Sequence, residues 1–286
     1  MAILFALGAA FFFGSAHILV RWGLLTGGPT TAITFNLVTM GAVLLSVMGP
    51  WADWAQLSPP AAGWFILAGA VAPLATQFLF YAAISRVGVA RASPLRNTSP
   101  LFAGLLAVAW LGEQWTLALV SGTLMIILGA TVLGMRDERA LTNFRRRDLL
   151  FPLGASILGG VASPIRKYGY GMLTSVPLAI CLTLIGSVSG LLLYLVAWRG
   201  YRDVSVNRGT VLWFGLSGVV TSCGITSYML SLSMGDVVLV DPLIATTPLF
   251  SVTFTHLLLK DQERVTSKAV IGAVLICAGG VVLTAF

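Results

Sequence analysis

The chain has 286 residues, 57% of them hydrophobic and 9% charged, with a formal net charge of +7. Soluble domains carry roughly 25% charged residues, so this composition excludes a water-covered globular surface, and the basic balance reads as loop charge rather than as a nucleic-acid footprint. The three cysteines, Cys181, Cys223 and Cys277, fall inside apolar runs as small filler, with neither a disulfide framework nor metal-ligand spacing.

Ten apolar runs follow one another, over residues 3–22, 31–49, 62–84, 92–111, 116–134, 149–168, 177–198, 210–231, 238–259 and 266–285. Each is long enough to cross a bilayer as a helix. The predicted fold class is therefore all-α integral membrane, with ten transmembrane helices, numbered here as spans 1–10. Span 1 has no basic region before it and runs into Arg21 instead of a small-residue cleavage site, so it reads as the first helix of the mature protein.

A strongly polar side chain inside a span costs several kcal/mol unless it faces the bundle interior, a partner or water. That rule picks out a short series in chain order. His17 lies about two-thirds of the way along span 1, as a cavity residue or a satisfied structural histidine. Asn36, near the start of span 2, is open to either role. Gln77 and Tyr81 in span 3 are four apart and share a face; they orient a solute or make an interhelical hydrogen bond worth roughly 1 kcal/mol or less. In span 4, Pro94 precedes Arg96 and Asn97, and Pro100 follows. Span 6 adds Ser163 and span 8 adds Tyr228. In span 9, Asp241 precedes Pro242, and Pro248 follows. Proline bends a helix and frees a carbonyl, so Pro94, Pro100, Pro242 and Pro248 mark symmetric breaks that point to a gate or binding site. Arg96 pairs with a carboxylate or with solute. Asp241 caps a helix end or pairs with Arg166 or Lys167. Arg21 and Lys167 close spans 1 and 6, and Glu113 and Asp261 are expected to cap the N-termini of spans 5 and 10.

Fourteen of the seventeen Lys and Arg residues fall in the loops joining spans 1–2, 3–4, 5–6, 7–8 and 9–10. Arg166 and Lys167 are assigned to the other side, and Arg96 lies within span 4. Cytoplasmic loops are enriched in Lys and Arg. Both termini are therefore expected outside the cell membrane, with the basic loops in the cytoplasm.

The chain also repeats itself. Residues 94–102 read Pro-Leu-Arg-Asn-Thr-Ser-Pro-Leu-Phe and residues 242–250 read Pro-Leu-Ile-Ala-Thr-Thr-Pro-Leu-Phe. Further matches at offsets of 146 to 150 include Gly14 with Gly160, Gly69 with Gly218, Gly122 with Gly272 and Gly129 with Gly279. The expected organisation is one repeat over 1–136, a basic cytoplasmic linker over 137–148 and a second repeat over 149–286. Five helices are an odd number, so the copies must be inverted relative to one another, the arrangement that places a transport site between two halves.

Three motifs in both halves carry a family resemblance. They are Arg21-Trp22-Gly23 with Lys167-Tyr168-Gly169, the Pro-Leu-Phe runs closed by Leu111-Gly112-Glu113 and Leu259-Lys260-Asp261, and the glycine-rich spans 5 and 10. In these the chain resembles the EamA branch of the drug/metabolite transporter superfamily over essentially its whole length. The resemblance implies a ten-helix secondary carrier, often an exporter of amino acids, other metabolites or drugs, and does not name the solute.

The expected function is alternating-access movement of a small metabolite, an amino acid or related polar or amphipathic solute, with export the expected direction and no cofactor. Spans 1, 3 and 4 and their partners 6, 8 and 9 would enclose the solute, with spans 5 and 10 as scaffold. No carboxylate is expected in mid-membrane, which disfavours exchange of a proton for a cationic drug and leaves multidrug export as the alternative. If protons couple, His17 is the mid-span group that titrates near neutrality. A membrane enzyme would need clustered acid–base or metal-binding groups, yet the only histidines, His17 and His256, stand in non-equivalent places. A channel would need a selectivity ring, and no motif supplies one.

Overall fold

The structure, a computed structural model, describes residues 1–87, 92, 95–134, 145–197, 200–258 and 267–285. Pro94 and Asp261 lie outside the described residues. All regular structure among the described residues is helical, as a lipid environment requires of backbone groups that have no water to bond. Seven helical segments are long and apolar enough to span a membrane, and Ser99–Leu111, Leu117–Leu133 and Val270–Thr284 are shorter apolar helices. The chain is a multi-pass membrane protein.

Local sequence sets the helix ends. Pro29 and Pro59 sit at the first turns of Pro29–Met48 and Pro59–Gly69, where a missing amide costs nothing. Asn207 caps Arg208–Met234 reciprocally: its side chain accepts from the Thr210 amide at 2.8 Å, and the Thr210 hydroxyl accepts from the Asn207 amide at 2.9 Å. Gly112 ends span 4 at φ +70°, a left-handed conformation that glycine alone adopts without penalty.

Three spans are interrupted. In span 3, Ala72 leaves the helix at φ −146°, ψ 131° ahead of Pro73, between Pro59–Gly69 and Thr76–Val87. Spans 4 and 9 turn at Asn97–Thr98 and Ala245–Thr246. Each turn is closed by the same bond at 2.7 Å, from the Thr98 hydroxyl to the Leu95 carbonyl and from the Thr246 hydroxyl to the Leu243 carbonyl. Pro100 and Pro248 then occupy the first turns of Ser99–Leu106 and Thr247–Leu258. They start the second half-helix rather than kink its interior. Pro242 alone of the described prolines in spans 4 and 9 sits inside a helix, Val237–Ile244.

The two halves pack through each other, with glycines at the closest approaches. A Cβ on Gly23 would meet the Phe214 ring at 2.3 Å, and one on Gly169 would meet the Phe65 ring at 2.8 Å. Gly14 faces Thr247, Phe250 and Ser251, while Gly160 faces Ser99, Phe102 and Ala103. Gly69 lies on Thr183 and Ser187, as Gly218 lies on Asn36 and Met40. Helices Leu117–Gly134 and Ser267–Ala285 meet at Gly122 against Gly279 and at Gly129 against Gly272. Every pair has its counterpart with the roles of the halves exchanged. Small residues allow the backbones to touch where lipid supplies no hydrophobic drive between helices.

Candidate functional site

Between the halves lies a chain of polar groups. The helix Leu150–Tyr170 places Ser163 and Arg166 three residues apart on one face. The Tyr228 hydroxyl donates to Ser163 Oγ at 2.8 Å, and the Ser163 hydroxyl donates to Asp241 Oδ2 at 2.6 Å. Arg166, 4% exposed, donates from Nη2 to the carbonyl of Ala72, the residue that leaves the helix in span 3. Its guanidinium stands 5.4 Å from the centre of the Tyr228 ring, within cation–π range. Arg166 also lies within electrostatic reach of Asp241. The group thus joins span 3 to spans 6, 8 and 9, and each hydroxyl in it donates once.

Two of these positions correct the sequence expectation. Arg166 is not a charge in an outer loop; it is buried in the helix, and the loop asymmetry is larger without it. Asp241 is not at a helix end. It sits in the second turn of Val237–Ile244, so a carboxylate does lie within a spanning segment, held by the Ser163 hydroxyl.

At the neighbouring helix ends, Glu113 has a partner other than the one expected. Its two carboxylate oxygens accept from the amides of Val237 and Val238, each at 3.0 Å. It therefore caps span 9 of the other half instead of span 5, because the Gly112 turn carries it across the interface. Lys167 donates to the carbonyls of Gly235 at 2.7 Å and Leu232 at 3.3 Å, at the C-terminal end of Arg208–Met234, where a cation is favoured. Arg21 is exposed at the end of Ala2–Gly23. Asn36 bridges spans 2 and 8, donating to Ser217 at 3.0 Å and Thr221 at 3.3 Å.

A second set of polar groups is differently placed. Among the described residues Arg96 makes no hydrogen bond and no ion pair within 4 Å. Its guanidinium lies over Gly159 of span 6, where a Cβ would be 3.1 and 3.2 Å from its two terminal nitrogens. It is within electrostatic reach of Asp241 and of His17. The Asn97 side-chain nitrogen is buried without a partner. His17 is exposed and has Arg96 as a charged neighbour. Gln77 is half-buried on Thr76–Val87 with no side-chain hydrogen bond among the described residues. The backbone of Tyr81 continues the same helix. The expected cavity residues therefore divide. Ser163 and Tyr228 bond each other, while His17, Gln77, Arg96 and Asn97 make no side-chain hydrogen bond among the described residues.

Sequence reading named Arg166 only as a partner for Asp241 and passed over Gly159 and the Ala72–Pro73 break. Pro73 within span 3 was the visible signal for the break, and the i, i+3 relation to Ser163 was the signal for Arg166.

Residues 1–135 and 147–285 match the EamA-like transporter family. No curated protein matches the chain. A solved structure described only as the crystal structure of a protein aligns over 99% of this chain and 96% of its own, with a TM-score of 0.80 at 18% identity; it shares the fold.

Proposed function

Because the chain belongs to the EamA-like transporter family, we propose that it is a secondary carrier that moves a small polar or amphipathic metabolite across the cytoplasmic membrane by alternating access. The carrying observation is the division of the polar groups between the halves. In one set Tyr228, Ser163 and Asp241 bond one another, while in the other His17, Gln77, Arg96 and Asn97 make no side-chain hydrogen bond among the described residues and have donors and acceptors to offer a solute. Buried polar groups without partners are costly, and a solute would satisfy them.

In this reading the chain is ten spans in two inverted repeats, 1–136 and 149–286, joined by a cytoplasmic linker over 137–148. Support comes from the reciprocal glycine contacts, which two copies related by a two-fold axis would make, and from the burial of Arg166, which leaves Lys167 as the one outer Lys or Arg in the charge count. Both termini then face outward, and a reporter fused at Phe286 that scores as cytoplasmic would reverse this. Exchange of access would come from the spans that already turn in mid-membrane: span 3 at Ala72, span 4 at Thr98 and span 9 at Thr246. Export of amino acids or related metabolites is the favoured direction and class. Multidrug export by carboxylate exchange is less well supported, since Asp241 already accepts from Ser163 and lies in reach of Arg166 and Arg96.

Counterflow in proteoliposomes tests the reading. Vesicles preloaded with an amino-acid and organic-acid panel should accelerate uptake of labelled counterpart, with saturation. Flux linear in concentration and indifferent to internal solute would indicate a pore. If protons drive transport, His17→Ala should abolish the response to a pH gradient, and a retained response would remove His17 from coupling.

A further inference from the structure

We infer that the space onto which Arg96 and His17 open selects a monoanion, with the acceptor oxygens of a carboxylate held by the Arg96 guanidinium; the inference rests on the carrier reading and narrows its solute class from amino acids to the monoanionic carboxylates related to them.

Two features of the structure carry this. The first is donor chemistry. Arg96 offers only N–H donors, and none is used among the described residues. Unused guanidinium donors call for an acceptor-rich ligand, and a guanidinium matches a carboxylate with two parallel bonds. Gly159 leaves room for its terminal nitrogens and for the Ser99 hydroxyl, which a larger residue would crowd.

The second is charge. Two arginines, Arg96 and Arg166, act on one carboxylate, Asp241. Arg166 is committed to the Ala72 carbonyl and the Tyr228 ring, and Asp241 to the Ser163 hydroxyl. Glu113 also acts on Asp241, but both its oxygens are taken by the Val237 and Val238 amides at a helix N-terminus, whose dipole offsets its charge. Arg96, Arg166 and Asp241 together keep one net positive charge inside spanning segments, and such a charge is costly there. One negative charge on the solute restores neutrality. A cation would add to the excess, and a neutral or zwitterionic solute would leave it in place.

The test is binding to the purified full chain in detergent, measured by titration calorimetry with a panel matched in size: 4-methyl-2-oxopentanoate, 4-methylpentanamide, leucine and isopentylamine. The monoanion should bind at least about tenfold tighter than the other three. Arg96→Gln should remove that preference, and Gly159→Ala should weaken the monoanion several-fold by displacing the guanidinium. If Arg96→Gln does not fold, Gly159→Ala carries the test. Tighter binding of the amide, zwitterion or amine, no binding of any member, or unchanged monoanion affinity in Gly159→Ala overturns the inference. Transport of the same panel separates it from the carrier reading. A monoanion that binds but is not carried defeats the carrier and leaves the charge selectivity, while carriage of the zwitterion in preference to the monoanion does the reverse.

Discussion

The contact of span 4 on span 6 and that of span 9 on span 1 occupy equivalent places in the two halves, yet they differ in kind. Both are closed by a glycine under a Ser/Thr-Pro-Leu-Phe turn, Gly160 in one and Gly14 in the other. Beside that shared seat, the first contact sets Arg96 over Gly159. The second has Ile244 and Phe13 at the matching positions, both packed into an apolar cluster with Ala6, Ala9, Val240 and Leu243. The common glycines are architecture, because each half needs its backbone to approach the other equally closely. The difference is where the proposed function is placed, because among the described residues only the first contact holds a charged group that makes no hydrogen bond.

Four substitutions would break or sharpen this contrast. The largest effect is expected at the shared architecture. A Cβ on Gly69 would stand 1.9 Å from the Thr183 carbonyl oxygen, whereas on its counterpart Gly218 the nearest atom is 2.8 Å away. Gly69→Ala should cost ~3 kcal/mol or more and Gly218→Ala about 1–2 kcal/mol of unfolding stability in detergent. Equal costs would mean that the halves pack with less asymmetry than these distances imply.

Next is the satisfied polar group. Arg166→Met removes the donor to the Ala72 carbonyl and should cost about 1.5–3 kcal/mol, the range for a hydrogen bond to a charged group. It should also raise labelling of a cysteine placed at Ala72 by a membrane-impermeant reagent from outside. Unchanged labelling would show that Arg166 does not hold the span 3 break closed.

The third pair reads the two contacts against each other. Ile244→Ala should lower stability by about 1–2 kcal/mol, less than a fully buried truncation, with carrier affinity unchanged. Arg96→Ala should leave stability unchanged or raise it, since it removes a charge from a spanning segment, while uptake falls at least about tenfold. Loss of stability in Arg96→Ala with retained uptake would make the arginine structural and dissolve the contrast. Smallest is Glu113→Gln, which keeps one acceptor for the Val237 and Val238 amides but loses the charge at the helix end. A melting shift equivalent to ~0.5–1 kcal/mol is expected, and no shift would show that the cap works through its dipole alone.

Sequence alone carried the membrane class, the apolar runs and the duplication. Each depends on hydropathy or identity along the chain, and lipid leaves a backbone few alternatives to a helix. It also singled out Arg96 and Asn97 as the residues the second copy lacks. Tertiary structure decided which polar groups are used up and which are free. Ser163, Tyr228 and Asp241 look alike in sequence to His17, Gln77 and Arg96, all polar residues in apolar spans. What divides them is whether a partner from another span stands within hydrogen-bond distance, and pairing across 65 or 78 residues leaves no local signature. The same holds for Glu113, whose partners lie 124 and 125 residues away, and for Arg166, which passes for a loop charge until the Ala72 carbonyl is found against it.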